Sequence, residues 1–156
     1  MNWLLLVLRL VHVGGGAMWV GMMAFMTFFL SPALAEVGPE GGKLMAALQR
    51  RRIMVIMPVI ALLTIGSGFW LMAHLYGGPG NLAASRMGVA LNVGAVAAIV
   101  AFLIGIIFMR PAMMRAMVTT DPAEAQRLRV RGAMLGRLVA RLLFLALAAM
   151  AVARYL

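Results

Sequence analysis

Two histidines and no cysteine occur in this 156-residue chain, and the first histidine has unusual surroundings. His12 lies three residues after Arg9 in LLLVLRLVHVGGGAMWVGMMAFMTFFL, an otherwise apolar stretch. Ionisable groups are costly in hydrocarbon and tend to be kept there only for a task. An imidazole can ligate a metal, carry a proton or anchor a hydrogen bond. A guanidinium matches a carboxylate. Helical spacing places Arg9, His12, Gly15, Gly16 and Trp19 along one face. Gly14, Gly15 and Gly16 are consecutive glycines, which is unfavourable for a helix. In a membrane, small residues let another backbone approach closely, and they also leave room for a flat ligand. A neutral imidazole above a glycine-lined slot beside an indole suits a porphyrin, because histidine is a common axial ligand of haem iron.

The haem reading therefore makes His12 an axial ligand and His74 a possible second. Gly16 and Trp19 line the ring, and Arg9 or Arg86 pairs with a propionate. Each residue also has a structural alternative. A helical histidine can simply be hydrogen-bonded, glycines can serve packing, and an arginine at the boundary can snorkel. Sixteen methionines open a second possibility, with Met18, Met22 and Met26 at i, i+4 and i+8. Thioethers are soft Cu(I) ligands, so copper held by His12, His74 and methionines is the alternative cofactor. Methionine also fills gaps in apolar packing. A cofactor-free subunit of a membrane complex is the third possibility.

Composition explains what must position these residues. Hydrophobic residues make up 65% of the chain and the mean hydropathy is +1.02, above the roughly half expected of soluble domains. Four segments, about 3–30, 53–76, 88–109 and 138–155, approach or exceed the ~20 residues needed to span hydrocarbon. They are expected as helices, because backbone groups in lipid must be satisfied internally. The expectation is an all-α, single-domain, integral membrane four-helix bundle. The stretch SPALA resembles a small-residue cleavage site. The n-region Met1-Asn2-Trp3 lacks positive charge and the apolar stretch is too long for a signal core, so residues 1–35 are expected as a retained helix.

The net charge of +10 clusters beside the apolar segments. It therefore points to membrane lipids as partners rather than nucleic acid. The 33–52 loop holds Lys43, Arg50, Arg51 and Arg52. The 110–137 loop holds Arg110, Arg115, Arg127, Arg129, Arg131 and Arg137. The opposite side has Arg9, Arg86 and Arg154. That bias puts both loops in the cytoplasm and both termini outside. Each span length then sets His12 and His74 near the outer boundary, at similar heights. A short helix from about Lys43 is expected to run into the second span. Thr120-Asp121-Pro122-Ala123-Glu124 reads as a helix start with a capping box, and that helix can continue into span four.

Thr64, Ser67 and Asn92 are the sparse polar groups of the other spans, suited to bonds within or between helices. All four acids lie in the inner loops, which argues against a proton-coupled transporter or cation channel. No internal repeat, hydrolytic triad, phosphate loop or zinc motif is evident. Small-residue faces permit a homo-oligomer or a membrane-protein partner.

The first half resembles the CopD/HemJ-like superfamily of small bacterial four-to-five-span membrane proteins. That superfamily includes copper-resistance D-type proteins and membrane protoporphyrinogen oxidases. The resemblance rests on RLVHVGGGAMWVGMMAF, with His12 and Trp19-Val20-Gly21, and on RRRIMVIMPVIALLTIGSGFWLM, with Arg52, Pro58, Thr64 and Gly68-Phe69-Trp70-Leu71. It implies a multi-pass protein of the bacterial inner membrane, with a b-type haem ligated by His12 and a redox or porphyrin-handling role. The oxidase branch implies a lysine near the start of span three, where this chain offers Arg86.

Overall fold

The computed structural model describes residues 2–78, 81 and 85–156. Among these no strand occurs, and four helical stretches are long and apolar enough to cross a membrane. Most of the 77–85 connection lies outside the described residues.

The first stretch runs from Trp3 to Glu36. It comprises α1 (Trp3–Phe25), a π turn (Met26–Leu30) and α2 (Ser31–Glu36). Next come α3 (Pro39–Arg50) and α4 (Ile53–Tyr76). The third stretch comprises α5 (Arg86–Ile104), a second π turn (Gly105–Met109) and α6 (Arg110–Val118). Finally α7 (Pro122–Val152) ends in a 3₁₀ turn (Ala153–Tyr155).

Helix one ends at Glu36, in line with the single helix expected over 1–35, whereas helix three runs well past its expected end near 109. The reason is local. Each π turn is followed by a proline at the second position of the next helix, Pro32 and Pro111. Proline lacks an N–H and crowds the carbonyl four residues back. The residue before each proline donates five residues back instead, Ser31 N–H to Met26 O and Arg110 N–H to Gly105 O. The wider turn absorbs the missing donor, so the helix continues.

The second departure lies between α3 and α4. Helix α3 starts at Pro39 and stops at Arg50, and Arg52 takes a left-handed conformation (φ 58°) before α4 begins. The inner helix therefore does not run into the second span. At the start of α7, Asp121 Oδ1 accepts from the Ala123 N–H. Glu124 accepts from the Thr119 hydroxyl instead of closing a capping box onto the Asp121 N–H.

Helix α1 packs along α4, and α5 along α7. Both pairs are antiparallel. Gly15 and Gly16 face Thr64 while His12 faces Gly68, and Gly94 faces Met150 while Gly132 faces Met113. The pairs meet in a core of Trp19, Met23, Ala61, Ala97, Ala98, Ala101, Val139, Leu143 and Ala146. Its alanines let the helices approach closely, which is how helices associate where lipid removes the hydrophobic drive.

The fold also contains a repeat that the residue types conceal. The two π turns, their following prolines and the crossing glycines Gly15 and Gly94 correspond at a constant offset of 79 positions. A Cβ on Gly15 would lie 2.6 Å from Thr64 Oγ1 and 3.8 Å from Ile60 O. A Cβ on Gly94 would lie 3.1 Å from Met150 Cγ and 3.2 Å from Ala146 O. In each pair the glycine meets a carbonyl and the side chain four residues later. The two helix pairs thus share these positions, although the sequence as a whole shows no evident repeat.

Candidate functional site around His12

Helix α4 carries a strip of buried small and polar residues, Ala61, Thr64 and Ser67. Two hydroxyls on this strip bond back along their own helix. Thr64 Oγ1 donates to Ile60 O at 2.9 Å, and Ser67 Oγ donates to Leu63 O at 2.6 Å and to Thr64 O at 3.1 Å. Such bonds satisfy the hydroxyls without a partner helix.

His12 reaches this strip from α1. Its Nδ1 lies 2.8 Å from the backbone carbonyl oxygen of Thr64. A carbonyl only accepts, so Nδ1 carries the proton and, in the neutral ring, Nε2 carries the lone pair. The approach depends on Gly68. Side chains tilt toward the helix N-terminus, so a side chain at 68 would lean over the Thr64 carbonyl. A Cβ there would sit 2.7 Å from His12 Cε1 and 2.9 Å from His12 Nδ1. Glycine leaves the carbonyl open and seats the imidazole. His12 itself is half-buried.

The other residues singled out from the sequence are distributed less tightly. Gly15 and Gly16 are filled by Thr64, with a Cβ on Gly16 falling 3.5 Å from Thr64 Cγ2. They are packing positions rather than walls of an open slot. Of the three glycines, Gly14 alone would carry a Cβ with nothing within 4 Å of it. Trp19 is buried in the core beside Met23 rather than exposed next to His12. Arg9 is exposed one turn from His12, and Arg86 is exposed at the start of α5.

His74 is exposed near the end of α4 and its ring stacks on Trp70 (centroids 6.3 Å apart, planes 19° apart). It lies about 9 Å along the helix axis from Gly68 and about 120° around it. The structure thus anchors the two histidines to different neighbours. No group of three or more His, Cys, Asp or Glu placed to hold a metal occurs among the described residues.

Sequence reasoning missed Gly68 as the seat and the Thr64 carbonyl as the anchor. The available signal was a glycine four residues after a buried-helix threonine, which exposes one carbonyl. The second helix pair offers an internal comparison. The offset that matches Gly15 to Gly94 matches His12 to Leu91, and the offset that matches Thr64 to Met150 matches Gly68 to Arg154. The same crossing is therefore built without a histidine or its seat. No family profile, curated protein or solved structure matches the chain.

Proposed function

We propose that the chain is a multi-pass protein of the bacterial inner membrane that binds haem b or a related porphyrin through His12, in a redox or porphyrin-handling role. The observation that carries this reading is the His12 Nδ1–Thr64 O bond. A histidine whose one ring nitrogen donates to a carbonyl has its tautomer and ring orientation set, and the other nitrogen becomes a stronger ligand. That is how metal-ligating histidines are commonly supported. The Leu91 counterpart adds that this crossing does not need a histidine to pack.

His12 alone of the expected set would hold such a group, since Gly16 and Trp19 are taken up by packing. His12 Nε2 would ligate the iron, and Arg9, one turn away and exposed, would serve a propionate. Bound haem would supply one-electron chemistry. The residues of this chain supply orientation, through the carbonyl of Thr64 and the open face of Gly68. His74, held against Trp70, stands apart from this set. The arginine bias supports loops 33–52 and 110–137 in the cytoplasm and both termini outside.

The test is an absorption spectrum of protein purified in mild detergent, before and after dithionite, with metal analysis on the same sample. A Soret band that shifts on reduction and iron near one per chain are expected. Stoichiometric copper without a Soret band would overturn the haem reading in favour of copper handling. Neither metal after haem supply during expression would overturn it in favour of a cofactor-free subunit.

A further inference from the structure

We infer that the outward side of the α5–α7 pair docks a transmembrane helix of another protein, one that carries a carboxylate level with Arg141. Arg141 lies within α7 and is exposed. Exposed apolar residues flank it on the same helix, namely Leu138, Phe144 and Leu145. Its depth follows from the helix crossings. Gly94 of α5 meets Ala146 and Met150, and Gly136 of α7 meets Met109. Between those crossings Arg141 falls level with about Leu103, roughly 9 Å inside the end expected for the third span at residue 109. An unpaired guanidinium at such a depth in hydrocarbon is costly and calls for a partner.

Two observations select a partner helix. First, no acid of this chain pairs with Arg141. Among the described residues the one ion pair is Lys43–Glu40. Glu36, Glu40, Asp121 and Glu124 are the chain's four acids, and all lie outside the expected spans. A second copy therefore brings no carboxylate to this depth. A lipid offers acyl chain there rather than phosphate. Arg137, one turn nearer the inner end and also exposed, is the arginine placed to snorkel to headgroups. Second, a shallow apolar groove of about 450 Å³ lies beside Arg141, lined by Val89, Val93, Val96 and Val100 of α5 and by Leu142 and Leu145 of α7. The valines extend along about 16 Å of helix. Arg141 stands one turn before Leu145, at the inner end of this trough. The trough takes the apolar face of a helix by close packing, and the guanidinium meets that helix's acid through two parallel bonds. This inference rests on the membrane reading proposed above and not on the haem reading.

The experiment reconstitutes the full chain in phosphatidylcholine vesicles with a leucine–alanine peptide helix of about 22 residues. The peptide bears one glutamate about a third of the way along, or glutamine or leucine in its place. Association is read by fluorescence energy transfer between labels on peptide and protein. Wild type is expected to bind the glutamate peptide on the order of tenfold more tightly than the other two, the scale of a polar bond between membrane helices. Arg141→Gln changes an exposed side chain and is expected to abolish that preference. Arg137→Gln is expected to retain it. Equal binding of the three peptides to wild type, or an equal loss in both variants, would overturn the site. Loss of the preference in phosphatidylglycerol vesicles would mean that lipid phosphate takes the guanidinium, and would overturn it as well. Failure of the membrane reading would show separately, as protein that does not float with the vesicles in a density gradient.

Discussion

His12 and the backbone of Thr64 are joined across the contact of α1 with α4 by a bond of 2.8 Å from Nδ1 to the carbonyl oxygen. A side-chain bond to a main-chain carbonyl survives most substitutions of the residue that supplies it. What controls it is access, and access is set by Gly68. The bond, the packing around it and the ligand it is proposed to orient can each be perturbed separately.

Gly68→Ala puts a methyl group 2.7 Å from the imidazole. His12 must swing off the carbonyl or the helices must part. We expect a loss of about 1–3 kcal/mol of stability together with loss of bound chromophore. Gly66→Ala, two residues away with nothing within 4 Å of the new methyl, is expected to be neutral or slightly stabilising, since alanine is the better helix former. Thermal unfolding followed by helical circular dichroism compares the two. Equal behaviour would remove Gly68 from the site.

Gly15→Ala collides with Thr64 Oγ1 at 2.6 Å, whereas Gly14→Ala meets nothing. The collision is with a side chain that can be removed. Thr64→Ala is therefore expected to recover most of the stability lost in Gly15→Ala, a favourable coupling of roughly 1 kcal/mol or more between contacting positions. Simple additivity in the double variant would mean that the helices do not cross at this register.

Gly94→Ala should behave differently. Its methyl would lie 3.1 Å from Met150 Cγ and 3.2 Å from Ala146 O, so α5 and α7 are pushed apart modestly. Lower thermal stability is expected with the spectrum of bound haem unchanged, because this crossing lacks a histidine. A shifted Soret band in this variant would show that the two helix pairs are coupled more closely than their shared core implies.

His74→Ala removes a ring that stacks on Trp70. Retention of the Soret band is expected, as for a group ligated through His12 alone. Loss of the band with intact helical content would instead make His74 a second ligand.

The helical class, the four apolar stretches and the α7 start were legible in the residues, because hydropathy and the Asp121–Pro122 pair act locally. The break at Arg52 was not, since a left-handed residue outside glycine leaves no compositional mark. The extension of helix three past Pro111 was also hidden. Proline normally ends a helix, and only the backbone shows that a π turn precedes it. At the site, His12 was singled out by its cost in an apolar stretch. Its anchor escaped notice because the partner is a main-chain atom, exposed by what Gly68 lacks. Trp19 and Gly16 were placed beside His12 by helical spacing, but spacing fixes a face and not its neighbour. That neighbour is the core for Trp19 and Thr64 for Gly16.

The most direct measurement is the Soret spectrum of His12→Ala supplied with haem, recorded with and without added imidazole. Ligation through His12 predicts no bound haem in the variant, and recovery of the band when free imidazole takes the place of the missing ring. Full haem occupancy in His12→Ala without imidazole would contradict it.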